Sequence, residues 1–180
     1  MDDRETILDA LPEARGGGVP TLSVDVKAVP KSDLWERFVA RLKELGGELR
    51  SLEDLAEFAG KAMCDVDVPQ SVVARLREPA TDVWEAKAGV TMAEFAVAET
   101  GSIVLSATPG RSRLLSLAPP VHVALVDPGR TIAGLEEAIS KMGPETGVIV
   151  TGPSRTADVE GVMVMGVHGP RRLCVVPFAP

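Results

Sequence analysis

The 180-residue chain contains no tyrosine, and Phe and Trp together bring its aromatic content to only 3%. Its core must therefore be built from Val, Leu, Ile, Ala and Met, and no run of aromatics interleaved with basic residues offers a platform for a nucleic-acid strand. Positive charge is also scarce: 19 Lys and Arg stand against 26 Asp and Glu, a net charge of −7. Without a basic stripe, nucleic acid is not an expected partner. The only cysteines, Cys64 and Cys174, form no C-x-x-C pair. That excludes a cysteine-ligated iron–sulfur cluster within the chain and argues against a zinc site. Each lies in or beside an apolar run and reads as a small buried hydrophobe. No apolar run approaches the ~20 residues that span a bilayer. The acidic opening Met1-Asp-Asp-Arg-Glu lacks the cationic region of a signal peptide. The expectation is a cytoplasmic protein without a membrane span. No dinucleotide fingerprint, Walker loop or nucleophile elbow occurs.

What remains is ordinary in amount and informative in arrangement. Hydrophobic residues make up 45% of the chain, and 17 Gly and 14 Pro punctuate it into short elements. Residues 1–88 carry a charge of −6 and residues 89–180 only −1. The second half is thus nearly balanced and suited to an anionic ligand held by local donors. Residues 1–20 read as a lead-in helix followed by the linker Arg15-Gly-Gly-Gly-Val-Pro20, and residues 21–180 as one domain.

The spacing of Leu34, Trp35, Phe38, Val39, Leu42 and Leu45 predicts a helix over 32–45. Ser32 or Asp33 caps its start, Gly46-Gly47 stops it, and Trp35 shares its core stripe. Short strands are expected at 48–50, 65–68, 103–105, 121–126, 147–151 and 172–177. Helices are expected near 51–59, where Ser51-Leu-Glu-Asp54 has capping-box spacing, and at 71–76, 91–98 and 131–142. Asp65 and Asp67 read as a solvated strand face. His122, alternating with Val121 and Val123, reads as structural. Strands alternating with helices imply an α/β fold with a mostly parallel sheet and helices on both faces.

The densest cluster of polar chemistry is Thr151-Gly-Pro-Ser-Arg-Thr-Ala-Asp158. It follows Val148-Ile-Val150, read as a buried parallel strand, and in open α/β sheets ligands bind past the strands' carboxyl ends. Thr151, Gly152, Ser154, Arg155 and Thr156 are candidate binding residues, with Arg155 offering a fork matched to carboxylate or phosphate. Backbone N–H groups of the Gly152-Pro153 turn are candidate donors as well. Asp158 either orients Arg155, acts as a base or caps the following segment. His168, in the turn Gly166-Val-His-Gly-Pro170, is an acid–base candidate. Glu99-Thr100-Gly101 adds a carboxylate that is a nucleophile, a general base or a plain loop acid. No metal site is expected.

Four segments carry a resemblance. They are residues 89–105 (Gly-Val-Thr-Met-Ala-Glu-Phe-Ala-Val-Ala-Glu-Thr-Gly-Ser-Ile-Val-Leu), residues 113–124 (Arg-Leu-Leu-Ser-Leu-Ala-Pro-Pro-Val-His-Val-Ala), Thr151–Asp158 and Gly166–Pro170. In this order they resemble the LUD domain of lactate-utilisation proteins of the LutC type, over about residues 80–178. The resemblance implies the α/β fold shared by sugar-phosphate isomerases, coenzyme A transferases and formyltetrahydrofolate cyclo-ligases. It also implies a part in oxidising L-lactate to pyruvate, with a small anionic ligand on this chain and iron–sulfur clusters on partner subunits. Two other readings stay open. One is an independent enzyme of the transferase or cyclo-ligase kind, in which Ala98-Glu-Thr-Gly101 shares only Glu and Gly with the transferase nucleophile motif. The other is a non-catalytic regulatory or interaction module.

Overall fold

A computed structural model describes residues 30–77, 79–107, 111–142, 147–157 and 163–179. The boundary expected at residue 20 and the lead-in helix lie outside the described residues. Helix α1 spans Leu34–Glu44 and buries Leu34, Phe38 and Leu42, one residue per turn along a single stripe. Asp33 occupies its N-cap without capping it, because its carboxylate takes the Ser32 hydroxyl at 2.6 Å. The C-terminus closes as a Schellman motif, with Gly47 N–H donating to Leu42 O (2.8 Å) and Gly46 N–H to Lys43 O (2.9 Å).

Five parallel strands form the central sheet: β1 (Glu48–Leu49), β2 (Ala62–Cys64), β3 (Ala88–Met92), β6 (Val121–Val126) and β11 (Arg172–Pro177). Their order is β1-β11-β6-β3-β2. Every residue of β6 is buried, as a central strand covered on both faces requires. On one face pack the 3-10 segment Glu53–Phe58 and helix α2 (Gln70–Leu76), through Leu55, Phe58, Val72 and Leu76. The reciprocal bonds expected of Ser51 and Asp54 form, Ser51 N–H to Asp54 Oδ2 (2.8 Å) and Asp54 N–H to Ser51 Oγ (3.4 Å). The opposite face holds α1 and part of a second sheet. Helices therefore cover both faces, as expected. The buried Cys174 and half-buried Cys64 are free thiols, both pushed up to about 11 by burial.

The second sheet was not foreseen. It contains β4 (Phe95–Val97), β5 (Ser102–Ser106), β7 (Thr131–Ile132) and β8 (Gly147–Val150), in the order β7-β4-β5-β8. Helix α3 (Leu135–Met142) covers its outer face through Leu135, Ala138 and Met142. Three expectations fail here. Residues 91–98 are not a helix but the end of β3 and the whole of β4. Their alanines, good helix formers, are small enough to be buried between layers, and pairing to β6 and β5 overrides propensity. The helix expected from Thr131 begins only at Leu135, because Thr131–Ile132 pairs with β4. Strand β8 runs antiparallel to β5 at a sheet edge and is half-exposed rather than buried and parallel.

A small antiparallel ribbon, β9 (Arg155–Ala157) with β10 (Met163–Met165), precedes β11. Gly89 marks a close approach on the central sheet. A Cβ there would lie 1.9 Å from the Leu115 carbonyl oxygen, so only glycine lets the 3-10 turn Arg113–Ser116 rest on β3.

Candidate functional site

The candidate binding residues gather at the amino edge of the central sheet. The end of β8 runs into Thr151–Arg155, and this segment is laced to the loop before β11. Ser154 N–H donates to Pro170 O, and Gly166 N–H to Ser154 O, both at 2.9 Å. Thr151, Gly152, Ser154, Arg155 and His168 thereby line one open cleft of about 380 Å³, walled by Leu45, Leu117 and Val150. Leu45, Leu117 and Pro170 precede β1, β6 and β11, so the cleft lies past amino ends. Thr151–Arg155 therefore do not sit past a carboxyl end of the parallel sheet, because β8 belongs to the other sheet. Ser154 N–H is committed to Pro170 and Pro153 has no N–H, so the turn's donors are mainly side chains.

Arg155 is exposed and gives one Nη2 hydrogen bond to the Leu45 carbonyl at the end of α1. That bond fixes the guanidinium at the cleft wall. His168 is exposed, and Thr156 sits in the ribbon opposite Val164. Asp158 lies outside the described residues.

Glu99, Thr100 and Gly101 form the turn between β4 and β5 rather than a helix-to-strand junction. Gly101 has φ 66°, and a Cβ there would come within 2.6 Å of the Leu42 nitrogen, so the turn presses directly on α1. Thr100 Oγ1 lies 2.7 Å from Ser102 Oγ, which lies 2.8 Å from Thr151 Oγ1. This row of hydroxyls joins the turn to the cleft across the fully buried Ser102. Glu99 does not reach the cleft. Its carboxylate takes the Leu135 N–H at 3.4 Å, at the start of α3.

A second polar assembly occupies the carboxyl edge of the central sheet, and the sequence reading missed it. Arg111 lies 2.7 Å from Glu94 Oε1 and 2.7 Å from Asp67 Oδ2, and Arg130 lies 3.0 Å from Glu94 Oε2. Asp65, 9% exposed, takes the Val66 N–H at 2.9 Å beside them. Asp65 and Asp67 are thus not a solvated strand face. Strand β2 ends at Cys64, and a turn closed by Val68 N–H to Asp65 O swings both acids inward. Burial raises the Asp67 carboxyl above its usual range, against the pull of Arg111. At Glu94 burial pushes the same way, but the hydrogen bond and charge of Arg111 prevail and hold it below. The cue in the sequence was Arg111 itself, a cation directly after Pro109-Gly110 with no acid near it along the chain.

His122 is fully buried, with Nε2 2.9 Å from Thr91 Oγ1 and, among the described residues, no partner on Nδ1. Burial lowers it to about 4, so it is a neutral structural imidazole, as expected.

These features define an α/β chain with a parallel core sheet and polar assemblies at both edges. Residues 80–176 match the family model described as the LUD domain, more than half of the chain. The protein belongs to the LUD domain family. It is 33% identical over 111 residues to an uncharacterized protein of Neisseria meningitidis serogroup B, covering 55% of this chain and 48% of that one. It is 35% identical over 95 residues to Lactate utilization protein C of Bacillus subtilis, covering 48% and 40%. With Lactate utilization protein C of an Exiguobacterium species it shares 34% over 97 residues, covering 49% and 42%. The chain spans about half the length of the curated relatives it matches. A solved DUF162 family protein from Deinococcus radiodurans superposes with a TM-score of 0.60 at 20% identity, over 84% of this chain and all of that one. That likeness concerns the fold. Among the described residues, no helix is long and apolar enough to cross a membrane.

Proposed function

We propose that this chain serves lactate utilization by holding a small hydroxy- or keto-acid in the amino-edge cleft, while iron–sulfur subunits carry the electrons. The supporting observation is the convergence of Thr151, Ser154, Arg155 and His168, from two separate loops, on one cleft. Arg155 offers the carboxylate charge-assisted hydrogen bonds, and the Thr151 and Ser154 hydroxyls add neutral ones. His168 can exchange a proton with the acid's hydroxyl. Thr100 connects to Thr151 through the hydroxyl row, Gly101 keeps that turn against α1, and Thr156 lies in the adjoining ribbon. The names of the curated relatives favour lactate among such acids, and pyruvate is its oxidation product.

The test is a thermal-shift titration of the purified chain with L-lactate, pyruvate and acetate. A ligand that binds only the folded state raises the melting temperature. Lactate or pyruvate should raise it more than acetate, and Arg155→Ala should remove the rise, with Arg155→Lys restoring part of it. No rise with either acid would sink the ligand reading. The subunit reading predicts a colourless chain that does not turn over lactate with artificial electron acceptors. Turnover by the lone, cofactor-free chain would refute it.

A further inference from the structure

A larger cleft of about 700 Å³ opens on the other side of the molecule, between the start of α1, strand β4, the turn after β6 and helix α3. It shares no lining residue with the amino-edge cleft. Its walls combine two properties. Trp35 and Phe95 supply aromatic surface, and Lys31, Arg130 and Lys141 stand around the opening. Arg130 lies 5.1 Å and Lys141 5.9 Å from the centroid of the same Phe95 ring. Two cations are thus gathered on one aromatic group, and their repulsion is only partly offset. Glu94 pairs with Arg130 but also serves Arg111, and Glu137 stands 3.8 Å from Lys141. Among the described residues, no carboxylate lies within 4 Å of Lys31.

An anion at the opening would relieve that repulsion, and a flat ring would fill the aromatic wall. The volume suits a ligand well beyond a three-carbon acid, since small-molecule pockets commonly enclose roughly 300–1,000 Å³. The turn Pro128–Arg130 directly follows β6, so the cleft lies past a carboxyl end of the parallel sheet, where α/β sheets commonly take ligands. We propose that this cleft is a second binding site for a phosphorylated, ring-bearing metabolite of the nucleotide kind. The ring lies against Trp35, and Lys31, Arg130 and Lys141 neutralise the phosphates. The site is independent of the carboxylate cleft and stands or falls without it.

Trp35 provides the readout. Trp84 is the second of two tryptophans and is 75% exposed, so Trp84→Phe isolates the Trp35 signal. Fluorescence of that chain is titrated with ADP, adenosine and inorganic phosphate, with the melting temperature followed as a control for folding. ADP should quench Trp35 saturably and bind at least about tenfold more tightly than adenosine or phosphate alone, a gap of roughly 1.4 kcal/mol. Lys31→Gln with Lys141→Gln, both on the surface, should weaken ADP about tenfold or more and flatten its salt dependence. Arg155→Ala should leave ADP affinity unchanged. No saturable quenching by ADP at about 5 mM, a free energy weaker than roughly −3 kcal/mol, overturns the proposal. Phosphate binding as tightly as ADP, or ADP binding indifferent to the two lysines, overturns it as well.

Discussion

The amino-edge cleft and the carboxyl-edge assembly are built from different polar materials. At the amino edge, hydroxyls, an exposed guanidinium and an exposed imidazole face an open cleft, with few ionic partners among them. At the carboxyl edge, Arg111, Glu94 and Asp67 are each about four-fifths buried and bound to one another. The first arrangement leaves polar capacity for a ligand, and the second spends its capacity on holding loops together. Arg155 in the cleft and Arg111 in the assembly therefore do different work.

Substituting both arginines is the sharpest way to break this comparison. Arg111→Ala strands two largely buried carboxylates and should cost about 3 kcal/mol of stability, measured by urea unfolding. Equal costs for Arg111→Ala and Arg155→Ala would erase the distinction.

A second difference lies in the pH dependence. His122 sits between the edges with its folded value near 4, against 6.5 when exposed. Below 6.5 the unfolded chain takes up a proton that the folded chain refuses until about 4. Its contribution is therefore complete above 6.5 and is lost as pH falls to 4, by as much as about 3 kcal/mol. His122→Asn should flatten stability across that window. At lower pH the amino-edge strand end follows. The Arg172 hydrogen bond holds Glu48 near 2, so that pair's contribution is present above about 4.5 and fades toward 2. Little of it should be measurable, because solvent screens a pair so exposed. A stability profile flat between pH 6.5 and 4 in the parent chain would contradict the buried, neutral imidazole.

Smaller effects sharpen the amino edge. Ser102→Ala removes the middle of the hydroxyl row and should cost about 1 kcal/mol in thermal or urea melts. Arg155→Ala should cost less than about 0.5 kcal/mol, since its side chain is exposed, while removing the response to lactate or pyruvate. A large loss of stability there would make Arg155 a structural clamp of Leu45.

The sequence made some of this plain. Helix α1 was legible because Phe38 and Leu42 repeat with the helical period and glycines follow. Strands β6 and β11 were legible because Val121–Val126, broken only by His122, and Leu173–Val176 are apolar runs that follow prolines. Thr91–Ala98 was not, because a capping-box spacing and several alanines give a helical local signal, and only pairing partners far along the chain override it. The direction of β8 was hidden for a related reason: Val148–Val150 reads the same in a parallel or an antiparallel ladder. Clustering of Thr151–Arg155 with His168 was legible as adjacent motifs, whereas Asp67, Glu94 and Arg111 meet only through the fold. Glu99 was visible as a carboxylate, but nothing local told that it faces α3.

The row Thr100–Ser102–Thr151 has one further property. Each hydroxyl owns a single proton, so the row has two consistent polarities, with every O–H pointing outward or every O–H pointing inward. A guest that accepts at Thr151 selects the outward polarity, and one that donates there selects the inward. The exchange needs three bond rotations and moves no heavy atom. The cleft mouth can therefore present either a proton or a lone pair, and the turn beside α1 registers which one the guest required.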